Sequence, residues 1–310
     1  MSHPRVDVVL LTMNDRPEQE KTAQATLLAQ RGVDLRICVV GNGCVPDIVP
    51  SDAHTVVLEE NVGIPGGRNA GARALTESGR PGDYLFFLDN DATFPTDDVL
   101  ARLLAEADHH PEAAYVQPRL TGPDDATTPR RWVPRLRAGD PSRPGVITTM
   151  TEGIVLVRRD AFDAVGGWEA SLFAYEGLDL AYRCWSAGWS GWYAADLRMH
   201  HPVTSPTRHA QFHRLAARNR IAVAYRNLPA SLIPAYLTTW TAITLARSAR
   251  HGGIRDSLQG MREGWALRHA QARRPMSWRT AWRLTTAGRP PVISTPAHPR
   301  SIRSPAGGTP

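Results

Sequence analysis

Short apolar runs rich in β-branched residues alternate with stretches of helical spacing through the first half of this 310-residue chain, and no other feature constrains the fold as strongly. "VDVVLLT" (6–12), "LRICVVGNG" (35–43), "HTVVLEE" (54–60) and "DYLFFLDND" (83–91) read as strands. Arg16 to about Gln30, "NAGARALTES" (69–78) and "DDVLARLLAEADHH" (97–110) read as helices, the last capped by Asp97 or Thr96. Strand–helix alternation predicts an α/β fold, a mostly parallel sheet flanked by helices. Such sheets bind ligands beyond the carboxyl ends of their strands. Thr12, Gly41–Gly43 and Asp89–Asp91 all stand at such ends and are expected to converge on one crevice.

The strand at 83–91 finishes in two carboxylates, Asp89 and Asp91, with only Asn90 between them. Burying one carboxylate is costly and burying two side by side is worse. Either the strand ends at a solvated edge, or a bound cation neutralises the pair. Hard oxygen ligands suit Mg2+ or Mn2+, which complete their shells with phosphates and water. The D-x-D spacing recurs at many strand-to-turn junctions, so its weight comes from its place directly after "YLFFL". "ENVGIPGGRNAG" (60–71) sets Gly63, Gly66 and Gly67 in an expected loop ahead of a helix. Glycines there let backbone approach a ligand, and a helix N-terminus favours an anion. Arg68 adds a charge-assisted donor. The stretch is neither a P-loop nor the dinucleotide fingerprint, and taken alone an ordinary Gly-Pro turn explains it.

Thr121 to Gly145, rich in proline, arginine and aspartate, reads as a surface excursion. "GIVLVRRDAFDAVGGW" (153–168) is a strand, a short helix and a double glycine. "GLDLAYRCWSAGW" (177–189) is helical with Leu178, Tyr182 and Trp185 on one face, and "GWYAADLRMHH" (191–201) is extended. Helical patterns run from about His209 to Leu267, and residues 287–310, with six prolines, are expected to be disordered.

Residues 201–310 carry 17 arginines against Asp256 and Glu263, a local balance of +15, which leaves the first 200 residues at −9 within a total of +6. Such a region suits an anionic lipid surface, a phosphorylated substrate or nucleic acid; solvated helix faces in an arginine-biased composition account for it equally well. No aromatic platform interleaves the arginines, which argues against nucleic acid. "SLIPAYLTTWTAITLA" (231–246) is broken by Pro234 and shorter than the roughly 20 residues of a membrane span. It is expected in a core or a subunit interface, an interfacial helix being the minority reading. Cys38, Cys44 and Cys184 are odd in number and unclustered, which predicts neither a disulfide framework nor a zinc site and points to a reducing cytoplasm. "MSHPRVDVVLLT" reads as a first strand rather than a signal peptide.

In their order along the chain, "VVLLTMNDR", "VVGNG", "ENVGIPGGRNAG", "FFLDNDATF", "GIVLVRRDAFDAVGGW" and "YEGLDLAYRCWSAGW" resemble the motifs of inverting glycosyltransferases of family 2, with "RNRIAVAYRN" closing the resemblance at residue 227. The resemblance implies a GT-A (Rossmann-like) transferase domain over 1–227, a C-terminal helical extension over 228–286 and the tail over 287–310. It implies sugar transfer, dependent on Mg2+ or Mn2+, from a nucleotide-diphosphate donor to an acceptor hydroxyl or amine on a small molecule, a glycan or a lipid-linked acceptor. By the resemblance Thr12, Asn14 and Asn42 line the nucleobase end, and Asn61, Gly67, Arg68 and Asn69 hold the nucleotide. Asp89 and Asp91 serve ribose and metal with Asn90 between them, and Gly153 borders the sugar. The family's histidine after the acceptor-side segment would complete the metal site; His200 fits by its spacing to Ser205, and His201 is its neighbour. The family often has an aspartate where Gly41 stands, a departure that touches base recognition.

Inversion by a single displacement needs one base and no enzyme nucleophile. Glu176 and Asp179, at i, i+3 on a helix, share a face. The family commonly has an aspartate base where Gly177 stands, so Glu176 is the expected base and Asp179, with Arg183 four residues on, the reserve. Two other readings stay open. One is a catalytically impaired relative that binds a nucleotide sugar or a partner, suggested by Gly177. The other is a sugar-1-phosphate nucleotidyltransferase, which would need a basic glycine-rich loop where "LLTMNDRPEQ" stands. A cytoplasmic location, a peripheral contact with the inner membrane face and a homodimer are all compatible with the sequence; nucleic acid is not expected as a partner.

Overall fold

The computed structural model describes residues 4–123, 128–129, 132–134, 140–203, 211–250, 252–269, 272–288 and 290–293. β1 (Arg5–Thr12), β2 (Asp34–Asn42), β3 (His54–Leu58) and β4 (Tyr84–Asp89) run parallel, β1 lying between β2 and β4. α1 (Pro17–Leu28) and α2 (Gly63–Glu77) make the crossovers. Side chains alternate across the sheet. Val6, Val8 and Leu10 enter one core and Val9, Cys38 and Val40 the other. Burial on both faces is why these strands read as unbroken apolar runs.

Beyond α3 (Val99–His109) come β5 (Ala113–Thr121), β6 (Gly145–Ile147), β7 (Ile154–Arg158), α4 (Arg159–Val165), α5 (Glu176–Ser186) and β8 (Ser190–His200). They complete an eight-stranded sheet of order β3-β2-β1-β4-β7-β5-β8-β6. β7 is antiparallel to both its neighbours, so its first residues arrive at the edge where β4 ends. Asp89 N–H donates to the Gly153 carbonyl at 2.8 Å across that junction.

Two expected boundaries move. α2 begins at Gly63, not Asn69, so Gly66 and Gly67 are helical rather than looped. Their glycines serve packing: a Cβ at Gly67 would stand 2.4 Å from Leu11 Cδ1, and one at Gly71 2.6 Å from Val9 Cγ1. α3 begins at Val99 after Asp98, with no side-chain cap; Asp97 instead pairs with Arg31 at 3.0 Å, and Thr96 Oγ1 donates to Asp98.

α6 (Phe212–Asn227), α7 (Ile233–Arg250), α8 (Ile254–Leu267) and α9 (Trp278–Thr286) follow. Leu178, Tyr182 and Trp185 of α5 share a third core with Val223, Tyr236, Trp240 and Leu284, so the C-terminal helices pack on the helix that opens with Glu176. α8 lies against α6 through Gly260 and Gly264, where an added Cβ would meet the Arg214 and Arg218 carbonyl oxygens at 2.0 and 2.6 Å. The chain stays docked past residue 287: Tyr182 Oη donates to the Pro291 carbonyl at 3.2 Å and Trp240 Nε1 to that of Val292 at 2.8 Å. The rest of the expected tail, parts of the 121–145 excursion and Ser205 lie outside the described residues. Among the described residues no helix is long and apolar enough to cross a membrane.

Candidate active site

The parallel register sets Thr12 beside Gly41 and Leu11 beside Asp89, so the three strand ends open on one crevice, as the sequence predicts. In it the ligand atoms of Asp89, Asp91 and His201 lie within 4.8 Å of one another. His201 Nε2 is 3.2 Å from Asp91 Oδ1 and 3.7 Å from Asp89 Oδ2. Of the two candidate histidines, His200 stands outside this group. Its main chain exchanges hydrogen bonds with Thr93 at 2.9 and 3.0 Å, an arrangement that delivers the next residue to the carboxylates. Trp132 meets the His201 ring edge-on at 5.3 Å between centroids.

The charges answer the question posed by two carboxylates at a strand end. Arg68 donates to Asp89 Oδ1 at 2.7 Å, and Arg16 pairs with Asp91. Burial works to raise the Asp89 pKa, but the bond with His201 and the Arg68 charge outweigh it and bring it to about 2. Burial works to lower that of His201, and the two aspartates reverse this and lift it to about 9. Two anionic oxygen ligands and an imidazole within one small sphere form a donor set that fits Mg2+ or Mn2+. Arg68 is almost wholly buried and its Nη1 has no partner, a spare donor beside the carboxylates.

The expected base-end residues brace one another. Thr12 Oγ1 donates to Glu20 and accepts from Asn14 N–H at 3.0 Å. Asn14, at φ +57°, donates to the Val45 carbonyl at 2.8 Å. Asn42 Nδ2 donates to Asn61 Oδ1 at 2.9 Å, and Asn61 stays exposed. Asn90 donates weakly to Asp15 at 3.5 Å. Asn69 holds Trp168 through both its amide atoms at 2.8 and 3.0 Å, and Gly67 faces Leu11, so these two shape the wall rather than offer free groups. Gly153 lies against Asp89, where a Cβ would stand 1.8 Å from Oδ2.

At α5 the two carboxylates expected as base differ. Asp179 is fully buried with both oxygens engaged: Arg183 holds Oδ2 at 2.7 Å, and Arg226 and Asn227 hold Oδ1 at 3.0 and 2.7 Å. It has no oxygen left for an acceptor and serves to fasten α6 to α5. Glu176 opens α5, buried, with Oε2 unpartnered. The turn before it holds Ala174 and Tyr175 at φ +66° and +73°. This left-handed geometry is unfavourable for non-glycine residues. α6 secures it: Asn219 donates to the Ala174 carbonyl at 3.2 Å, and Arg220 donates to the Tyr175 hydroxyl. Sequence reasoning missed Arg16, whose only signal is a charge one turn past β1, and Glu152, one residue before Gly153.

Residues 20–166 match the family described as Glycosyl transferase family 2. This segment of the chain belongs to that family. Among solved structures, the fold resembles that of GalNAc-T7 with UDP, GalNAc and Mn2+ at 14% identity and TM-score 0.57, the match covering 79% of this chain and 51% of that one. It also resembles the mannosyltransferase PcManGT from Pyrobaculum calidifontis in complex with GDP-Man and Mn2+, at 19% identity and TM-score 0.53, over 92% of this chain and 80% of that one. The chain thus spans about half the length of the first and four-fifths of the second. No curated protein matches it. The family 2 segment contains β4 with Asp89 and Asp91, and the whole sheet has the GT-A fold.

Proposed function

We propose that this chain transfers a sugar from a nucleotide-diphosphate donor to an acceptor hydroxyl or amine, with inversion, using Mg2+ or Mn2+ held by Asp89, Asp91 and His201. The carrying observation is the convergence of those three side chains, with the spare Arg68 donor, at the carboxyl edge of a family 2 sheet. A divalent cation bound there would neutralise charge developing on the departing diphosphate. Arg68 Nη1 offers the same anion a buried, charge-assisted hydrogen bond. Thr12, Asn14 and Asn42 border the nucleobase end, and Asn61, exposed in the loop between β3 and α2 and bonded to Asn42, faces the nucleotide. The two relatives solved with nucleotides and Mn2+ support this reading through their shared fold.

Asp179 drops out of the base assignment, since its ion pairs occupy both oxygens; the acceptor proton falls to carboxylates at the start of α5. Exposed Trp265, Trp278 and Trp282 among the arginines of α8 and α9 support a peripheral contact with an anionic membrane, where tryptophan rings favour the interface.

The test is release of UDP or GDP from a panel of nucleotide sugars with Mn2+. Asp91→Asn is expected to abolish release while the fold persists by circular dichroism. Full activity of that variant in EDTA would overturn the metal assignment.

A further inference from the structure

Glu152 sits just ahead of β7, which runs against its neighbours, so it reaches the crevice beside Asp89 and the start of α5. Its Oε1 accepts the Gly177 N–H at 3.1 Å, at the N-terminal turn of α5. Gly177 makes the approach possible: a Cβ there would stand 2.6 Å from Glu152 Cγ and 2.7 Å from Oε1. The place a side chain at 177 would fill is filled by the Glu152 carboxylate. Glu152 is partly exposed whereas Glu176 is buried, and Glu176 Oε2 touches no donor. An ionised carboxylate with a buried, unpartnered oxygen is strongly disfavoured, and one that faces a helix N-terminus and accepts a backbone N–H is favoured.

Resting on the transferase reading above, we propose that Glu152, not Glu176, is the base that takes the acceptor's proton, with Glu176 its protonated partner. The acceptor O–H (or N–H) bond breaks and its proton passes to the Glu152 carboxylate. The freed lone pair forms the new bond to the anomeric carbon, and the bond from that carbon to the diphosphate oxygen breaks, its electron pair leaving with the nucleoside diphosphate. The charged and titratable groups around Glu152 are Arg68, Asp89, Tyr175 and Glu176. Burial raises Glu176 first and the Glu152 charge raises it further. Burial also raises Glu152, opposed by hydrogen bonds to its charged form and by Arg68. Of two carboxyls so placed, the partly exposed one that accepts a backbone N–H is the one left charged.

The test uses the full chain with Mn2+ and UDP- and GDP-sugars, water serving as acceptor. Release of UDP or GDP reads turnover, and calorimetry with UDP or GDP reads donor affinity. Glu152→Gln is expected to lower turnover roughly a hundredfold or more, the scale of a general base, with nucleotide affinity unchanged. Glu176→Gln mimics the protonated partner; it should lower turnover by less than about tenfold and leave the acid limb of the pH profile in place, because the carboxyl it replaces carries no charge there. Glu152→Ala should regain turnover with added formate, which no purely structural role would show. Near-parental turnover in Glu152→Gln overturns the proposal, as does a hundredfold loss confined to Glu176→Gln. Loss of nucleotide binding in Glu152→Ala without formate rescue makes Glu152 structural and overturns it too. An unmutated chain that releases no nucleotide from any donor removes the transferase reading itself, and that failure is visible before any variant is made.

Discussion

Gly153→Ala tests how the sheet builds the carboxylate site. The new Cβ would stand 1.8 Å from Asp89 Oδ2 and 2.3 Å from Cγ. To regain a van der Waals separation of about 3.5 Å, the carboxylate must retreat by about 1.7 Å. Its bond to Arg68 is 2.7 Å long and its approach to His201 3.7 Å, so such a retreat breaks the first and takes Asp89 out of the three-residue group. A metal site tolerates ligand displacements of only about 0.2 Å. Disturbing the groups that merely orient a ligand costs about 10–100-fold in affinity, and moving the ligand itself should cost at least that. The Gly153 backbone is outside the left-handed region and its carbonyl still accepts from Asp89 N–H, so alanine is compatible with the strand. Calorimetric titration of Mn2+ in the presence of UDP or GDP measures the effect, and a denaturation curve confirms that the variant folds. A folded Gly153→Ala protein that binds Mn2+ as tightly as its parent would refute the reasoning, because Asp89 would then not depend on its contact with residue 153.

Asp179→Ala leaves Arg183 and Arg226 buried without their carboxylate and should lower stability by about 3–5 kcal/mol, read from urea denaturation; a loss under about 1 kcal/mol would show that Asp179 is not a structural tie. Gly260→Ala forces a methyl against the Arg214 carbonyl at 2.0 Å and should cost about 1–3 kcal/mol, with an unchanged melting curve counting against the α6–α8 contact. In metal-free protein the folded pKa of His201 is raised from 6.5 to about 9. The sign follows: its contribution is full below the unfolded pKa and is lost as pH rises through about 9. With EDTA present, the stability difference between the parent and His201→Gln should shrink between pH 6 and 10. A difference that stays constant across that range would sink the charge assignment.

The carboxylate end of the crevice is more legible in the sequence than the end formed by α5, for physical reasons. β1, β2 and β4 are buried on both faces, so each appears as a continuous apolar run, and the polar residues that end them mark the ligand edge. α2 was harder to place because glycine signals a loop, and only the packing of Gly67 on Leu11 and Gly71 on Val9 shows why a helix would use it. β5 went unread because Pro118 and Arg119 interrupt its pattern, at the point where its register with β8 shifts. β7 was legible as a strand but not in direction, and direction alone brings Glu152 to the crevice. The choice of His201 over His200 depended on the bridge with Thr93, a pairing across about a hundred residues that no local pattern encodes. Asp179 and Arg183 read correctly as a pair, while Arg226 and Asn227 closing around them did not.

The left-handed turn at Ala174–Tyr175 divides the molecule in an unexpected place. Every group assigned to the donor comes from the first 91 residues, apart from Gly153 and His201. The conformation that presents α5 depends on Asn219 and Arg220, and Arg220 in turn lies 4.2 Å from the centroid of the Trp240 ring. The two halves of the crevice therefore answer to separate stretches of chain and are free to diverge separately. On the proposed assignment, change in α6 and α7 would retune what the crevice accepts and leave the donor side intact. A chimera that exchanged these helices between related chains should carry acceptor preference with the helices and donor preference with the sheet.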